Sequence, residues 1–159
     1  MKKLLNVEHA IKIAHKLKQK GKSIVLAGGC FDILHIGHVL FLKAAKREGD
    51  ALFLLLESDE NIIKRKGKGR PVNALENRAI ILSAIESVDY IIPLVGVTKD
   101  GEYDRLMVKI KPDVIAMTQG DPQIRQRARQ AKLVGAKLKL VINKVENKST
   151  TALISQIRN

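Results

Sequence analysis

The chain has 159 residues, 45% hydrophobic and 28% charged, with a formal net charge of +13 from 29 Lys and Arg against 16 Asp and Glu. That length suits one domain, residues 1–159, with its own core. The single cysteine, Cys30, excludes an internal disulfide and fits a reducing compartment. No run approaches the roughly 18 apolar residues of a membrane span, and Glu8, His9, Lys12 and His15 interrupt any apolar targeting core after Met1, so the expected location is the cytoplasm.

Val7, Ala10, Ile11, Ala14 and Leu17 recur at helical spacing with Gly21 as a stop, which predicts a helix over 7–20. Residues 24–27 read as a short apolar strand. Val39, Phe41, Leu42 and Ala45 form the stripe of a helix over 38–48, closed by Gly49. The unbroken apolar run at 51–56 reads as a strand buried on both faces. A short helix over 59–64 leads into Lys-Arg-Lys-Gly-Lys-Gly-Arg-Pro at 64–71, a glycine-rich basic loop. A helix over 75–88, a strand over 90–93 and a helix over 103–110 ended by Pro112 follow. Then come a strand over 114–117, a helix over 122–134 with proline in its first turn, a strand over 138–142 and a last helix over 150–157, with Ser149 or Thr150 as its N-cap.

Strands alternate with helices throughout. The expectation is an α/β fold: a Rossmann-like, doubly wound, parallel five-stranded sheet with helices on both faces. Ligands bind such sheets beyond the C-terminal ends of the strands. The segments there are 28–32, 57–59, 118–121 and 143–151.

Residues 28–38, Gly-Gly-Cys-Phe-Asp-Ile-Leu-His-Ile-Gly-His, carry the most chemistry. Gly28 and Gly29 let backbone approach a phosphate closely. The helix opening near Gly37 offers free N–H groups and a positive dipole end. His35 and His38 flank that end and both can donate to phosphate oxygens. The alternative for two nearby histidines is a metal pair, but only Asp32 is at hand as a third ligand, so no metal site is expected. The basic loop offers Lys64, Arg65, Lys66, Lys68 and Arg70 as clamps for a triphosphate or a phosphorylated second substrate, with Gly67 and Gly69 as hinges. The bland alternative is a solvated charge run. Gly120 and Asp121 follow the fourth strand, and Ser149, Thr150 and Thr151 open the last helix with hydroxyls and N–H groups suited to phosphate or to simple capping.

The segment Gly-Cys-Phe-Asp-Ile-Leu-His-Ile-Gly-His resembles the signature of the HxGH nucleotidyltransferase superfamily, in its cytidylyltransferase-like branch. Further likeness is to the adenylyltransferase domain of ADP-heptose synthesis. It continues through Ser58-Asp59, the run 67–78 (Gly-Lys-Gly-Arg-Pro-Val-Asn-Ala-Leu-Glu-Asn-Arg), Val88-Asp89-Tyr90, Lys111-Pro112-Asp113-Val114, Gly120-Asp121 and Ser149-Thr150-Thr151. The resemblance implies transfer of a nucleoside monophosphate from ATP or CTP to a phosphorylated acceptor, with Mg²⁺ bound mainly through the nucleotide phosphates. It makes His35 and His38 the catalytic pair, puts Arg78 with them at the phosphates, and places Gly28 to Asp32, Gly37, Gly120, Asp121 and Ser149 to Thr151 around the nucleotide. A homodimer is common among such relatives.

Three departures fall around the base and acceptor. Met117-Thr118-Gln119-Gly120-Asp121 stands where heptose-type relatives carry Lys-Gly-Gly-Asp. Residues 143–148, Asn-Lys-Val-Glu-Asn-Lys, stand where glycerol-phosphate relatives carry Arg-Thr-x-Gly-Ile. The stretch Leu56-Glu57-Ser58-Asp59 that ends the second strand stands where the heptose branch has a small residue and an asparagine. ATP with a heptose 1-phosphate is the leading version. CTP with a polyol phosphate and ATP with FMN are the alternatives. From another class, a nucleic-acid-binding module would use the basic surface, but aromatics for stacking are only 3% of the chain.

Overall fold

The computed structural model describes residues 3–143 and 150–158. Among these, helices α1 Val7–Gln19, α2 Ile36–Lys46, α3 Asp59–Lys66, α4 Leu75–Ser83, α5 Asp100–Ile110, α6 Ile124–Val134 and α7 Thr150–Arg158 are interleaved with strands β1 Ile24–Gly29, β2 Ala51–Leu56, β3 Tyr90–Pro93, β4 Val114–Thr118 and β5 Lys137–Ile142. The strands form one five-stranded sheet, parallel throughout, in the order β3-β2-β1-β4-β5. This is the α/β arrangement that the alternation predicts.

Strand residues divide by parity between two cores. Val25, Ala27, Leu52, Leu54 and Leu56 join Phe41, Leu42 and Ala45 of α2 and Ala79 and Leu82 of α4. Ile24, Leu26, Ala51, Phe53 and Leu55 join Ala10 and Ala14 of α1, Leu106, Met107 and Ile110 of α5 and Ala131 of α6. With both faces covered, every position of β2 is buried, and each buried leucine contributes about 1.5–3 kcal/mol.

The sheet opens where it must to admit a ligand. β1 pairs with β2 along its full length, from Ile24↔Ala51 to Gly29↔Leu56. It pairs with β4 only at Val25↔Val114 and Leu26↔Ile115. Beyond those two residues the ladder between β1 and β4 stops. The order of the strands also reverses there, with β2 and β3 on one side of β1 and β4 and β5 on the other. A cleft at such a switch point is where doubly wound sheets bind ligands.

Several element ends differ from the sequence expectation, each for a local reason. β1 continues to Gly29 because its ladder with β2 does. α2 starts at Ile36, two residues early, with His35 as N-cap. α4 stops at Ser83 rather than at 88. There Ala84, Ile85 and Val88 donate to carbonyls three residues back, a tighter turn that delivers the chain to β3. α5 starts at Asp100 because Glu102 Oε2 accepts from the N–H groups of Thr98 (2.8 Å) and Lys99 (2.9 Å). Pro122 lies before α6, in a turn where Asp121 Oδ1 accepts from the Gln123 N–H at 2.8 Å.

Candidate active site

The central cradle forms where β1 hands over to α2. Gly29 has no room for a side chain, because a Cβ there would lie 2.8 Å from Cε2 of Phe31. Phe31 itself adopts a left-handed backbone, φ +46°. His35 caps α2 from extended backbone, and its ring stacks on His38 with centroids 3.9 Å apart. His38 also packs against Phe31 at 5.2 Å. The His35 N–H donates to His38 Nδ1 at 3.4 Å, so a neutral His38 keeps Nε2–H as its donor. Burial lowers the His38 pKa to about 4, and the charges of His35 and Lys66 act in the same direction. A polyanion arriving at the ring would oppose all three.

Buried polar groups brace this cradle from behind. Asp32 Oδ2 accepts from Arg70 Nε at 2.7 Å, and Oδ1 accepts from the N–H groups of Val72 (2.8 Å) and Asn73 (2.9 Å). Burial on its own would raise the Asp32 pKa, but the hydrogen bonds from Asn73, Arg70 and Val72 outweigh it and hold the carboxyl below its usual value. The far end of the basic loop is therefore pinned to the cradle. Among the described residues, Arg70 Nη2 is buried without a hydrogen-bond partner, a donor left over for an anion.

Arg78 is fully buried. Its Nη1 donates to the Cys30 carbonyl at 2.6 Å, Nη2 to the Glu57 carbonyl at 2.8 Å and to Asp59 Oδ1 at 2.6 Å, and Nε to the Asn73 carbonyl at 3.0 Å. One guanidinium thus joins the β1 loop, the end of β2, the start of α3 and the turn before α4. The sequence reading puts Arg78 at the phosphates. Here its donors are spent on the protein, and it does not line the cavity described next.

The parted ends of β1 and β4 enclose a cavity of about 230 Å³. Gly28, Gly29, Cys30, Phe31, His35, Gly37 and His38 form one side. Ala116, Met117, Thr118, Asp121 and Ile142 form the other, and Leu26, Phe41, Leu55, Met107 and Ile115 supply apolar surface. An apolar slot with a few convergent polar groups is the general form of a small-molecule site.

Gln123 and Arg127 also line a second pocket of about 210 Å³, shared with Glu57, Asn61, Lys64, Arg65, Thr98, Asp100, Tyr103 and Gln126. Glu57 is 3% exposed. Its Oε2 accepts from Tyr103 Oη (2.8 Å) and Asn61 Nδ2 (3.1 Å), and Arg65 Nη2 lies 3.3 Å from Oε1. Burial, then the charge and hydrogen bond of Glu57, push the Tyr103 phenol above its usual pKa, so it stays protonated and donates. Arg127 is buried at the junction, its Nη1 donating to Gln130 Oε1 at 2.9 Å. Burial lowers its pKa, opposed by Glu57, Tyr103 and Asp121.

Residues 26–156 match the cytidylyltransferase-like family model. The chain belongs to the cytidylyltransferase-like family. Over 158 residues, 98% of this chain, it is 35% identical to the bifunctional protein HldE of Pseudomonas fluorescens (strain SBW25), and covers 32% of that protein. Against the bifunctional protein HldE of Sulfurimonas denitrificans it is 40% identical over 150 residues, 92% of this chain and 29% of the relative. The chain spans about a third of the length of these curated relatives. A lipopolysaccharide core biosynthesis protein from Thermoplasma volcanium GSS1 superposes with a TM-score of 0.59 at 27% identity, covering 81% of this chain and all of that one. The pantoate-beta-alanine ligase of Francisella tularensis shares the fold at 15% identity, with a TM-score of 0.70 over 98% of this chain and 79% of its own.

This cytidylyltransferase-like chain gathers only part of its expected site around one cavity. The loop residues Gly28 to Phe31, both histidines, Gly37 and Asp121 line it. Asp32 and Arg78 stand behind it. Gly120 turns the chain with φ +78° ahead of Asp121. Thr150 Oγ1 donates to the Ile33 carbonyl at 3.3 Å, which sets the start of α7 against the β1–α2 loop. Thr151 is exposed, and Ser149 lies outside the described residues. Lys64 pairs with Glu60 on the surface at 2.6 Å, and Lys66 and Lys68 are exposed. No helix among the described residues is long and apolar enough to cross a membrane. Arg127, Asn61 and Tyr103 are absent from the sequence expectation, and Glu57 enters it only as a departure near the base and acceptor. Their signal is a polar or charged side chain on a buried face: Arg127 falls on the stripe of Ile124, Ala131 and Val134, and Glu57 ends the apolar run of β2.

Proposed function

We propose that the protein transfers a nucleoside monophosphate, AMP from ATP, to a phosphorylated small-molecule acceptor and releases pyrophosphate. A heptose 1-phosphate is the leading acceptor. The observation that carries this reading is the stacked His35–His38 pair over the Gly28-Gly29 loop, at the mouth of the cleft between β1 and β4.

A phosphate oxygen of the acceptor attacks the α-phosphorus of the nucleotide. The bond from the α-phosphorus to its bridging oxygen breaks, and pyrophosphate leaves with the electron pair. Little bond chemistry falls to the protein, so its contribution is positioning and electrostatics. His38 Nε2–H and His35 donate to the oxygens on which charge develops. The Gly28 backbone and the first turn of α2 accept close approach of the phosphates. Arg70 Nη2 offers a further buried donor on the loop that Asp32 pins. The apolar surface of Phe41, Met117 and Ile142 suits the base. Mg²⁺ bound with the nucleotide would lower the charge against which the acceptor must approach. The nucleoside triphosphate that such a reaction consumes fits a cytoplasmic location.

Pyrophosphate release tests this reading, with ATP, CTP, GTP and UTP each paired with a heptose 1-phosphate, glycerol 3-phosphate and FMN. Release is expected with ATP and the heptose 1-phosphate. Preference for CTP with glycerol 3-phosphate would replace the substrate pair, and silence across the panel would remove the reading.

A further inference from the structure

The second pocket shares a wall with the nucleotide cavity and has a different chemistry. It collects the C-terminal end of β2 through Glu57, helix α3 through Asn61, Lys64 and Arg65, the start of α5 through Tyr103, and α6 through Gln126 and Arg127. None of its lining residues is aliphatic. Arg127 stands at the shared wall: a Cβ on Gly28 would lie 3.5 Å from its Nη2. Arg65 Nη2 reaches the same loop, 3.8 Å from Cys30 Sγ. Two guanidinium groups therefore flank the boundary between the pockets, next to the glycine loop. Behind them Glu57, Asn61 and Tyr103 form a hydrogen-bonded set, in which the two Asn61 Nδ2 hydrogens are shared among Glu57 Oε2, Tyr103 Oη at 3.0 Å and the Val97 carbonyl at 2.8 Å.

Resting on the transfer reading above, we propose that this pocket binds the acceptor, a polyhydroxylated phosphomonoester, with its phosphate between Arg127 and Arg65 and its hydroxyls on Glu57, Asn61 and Tyr103. In-line displacement requires the attacking oxygen to reach the α-phosphorus opposite the pyrophosphate. A phosphate held at the shared wall is beside the loop that holds the α-phosphate and outside the nucleotide cavity. A carboxylate offers about four lone-pair sites. Glu57 Oε1 has Arg65 as its neighbour in the free protein, which leaves it able to accept from sugar hydroxyls. Phosphate is the natural partner for Arg127 and Arg65, because guanidinium matches its geometry. The polar side chains that line it suit a small hydroxylated acceptor better than FMN, whose flat ring system calls for apolar walls.

Steady-state kinetics on the whole chain test the assignment, with ATP and a heptose 1-phosphate as substrates. The variants are Glu57→Gln, Tyr103→Phe and the pocket-rim change Gln126→Ala, each checked by thermal melting. Losing a hydrogen bond to a charged acceptor corresponds to about a tenfold rise in KM for the heptose 1-phosphate in Glu57→Gln. A smaller rise is expected in Tyr103→Phe and in Gln126→Ala, and KM for ATP should stay unchanged in all three. If Glu57→Gln does not fold, Tyr103→Phe and Gln126→Ala carry the test. A purely structural role would lower melting temperature without separating the two KM values. Unchanged acceptor KM in an active set of variants overturns the assignment and leaves the transfer reading standing. Preferred turnover of FMN by the wild type also overturns it. A wild type that releases no pyrophosphate removes the transfer reading and this assignment with it.

Discussion

The two adjoining pockets are made of different material. The cavity between β1 and β4 is shaped by one contiguous stretch, residues 28–38, in which missing side chains, a left-handed Phe31 and a helix terminus do most of the shaping. The pocket beyond Arg127 is made of side chains drawn from β2, α3, α5 and α6, held in a network of charges and amides. Backbone and helix ends treat any phosphate alike, whereas a web of side chains can tell one set of hydroxyls from another. Arg78 lies under both, bonded to Cys30 on one side and Glu57 on the other.

Arg78 is therefore where the distinction breaks down most completely. Arg78→Ala leaves the Cys30, Glu57 and Asn73 carbonyls and Asp59 without their donor. Breaking a buried charge–polar network of this kind costs about 3–5 kcal/mol, and denaturant unfolding should register it. Arg78→Lys keeps the charge without the fork and is expected to fall between wild type and Arg78→Ala. A stability loss under 1 kcal/mol in Arg78→Ala would refute the bracing role.

His38→Ala sharpens the distinction, because it touches only the first pocket. Removing one donor to developing charge lowers kcat by about a hundredfold to a thousandfold. KM for the acceptor should stay near its wild-type value in a pyrophosphate-release assay. A rise in acceptor KM with kcat intact would mean that the histidine serves the second pocket instead.

The same contrast governs how much the sequence discloses. The strands are legible because both faces of the sheet are covered, which writes 51–56 as an unbroken apolar run. The cradle is legible because its parts adjoin in the chain. The end of α4 at Ser83 is not, since the turn that follows depends on backbone bonds three residues back and on the reach to β3. Arg127, Tyr103 and Glu57 lie tens of residues apart and meet only because α5 and α6 pack on the same face of the sheet. Arg78 shows both sides of this. Its position on the stripe of Leu75, Ala79 and Leu82 is visible in the sequence, but three of its four acceptors belong to distant segments.

The smallest effect is a proton. His38 has a pKa of about 4 in the free protein, below its ordinary value near 6.5, because burial and the neighbouring charges of His35 and Lys66 disfavour its cation. A depressed histidine means that the unfolded chain binds more protons than the folded one between pH 6.5 and 4, so stability falls as pH falls through that window and levels off below it. His38→Gln should flatten this slope above pH 5, where the acidic side chains have yet to titrate. Nucleotide binding reverses the sign at the ring, since phosphate oxygens beside His38 favour the imidazolium. At pH 5.5 binding of ATP by the wild type should draw up to about one proton from solution, read as a difference in calorimetric heat between two buffers of unlike ionisation enthalpy. His38→Gln should abolish most of that difference. Equal heats in the two buffers for the wild type would mean that the phosphates do not reach His38, and the division of labour between the pockets would have to be redrawn.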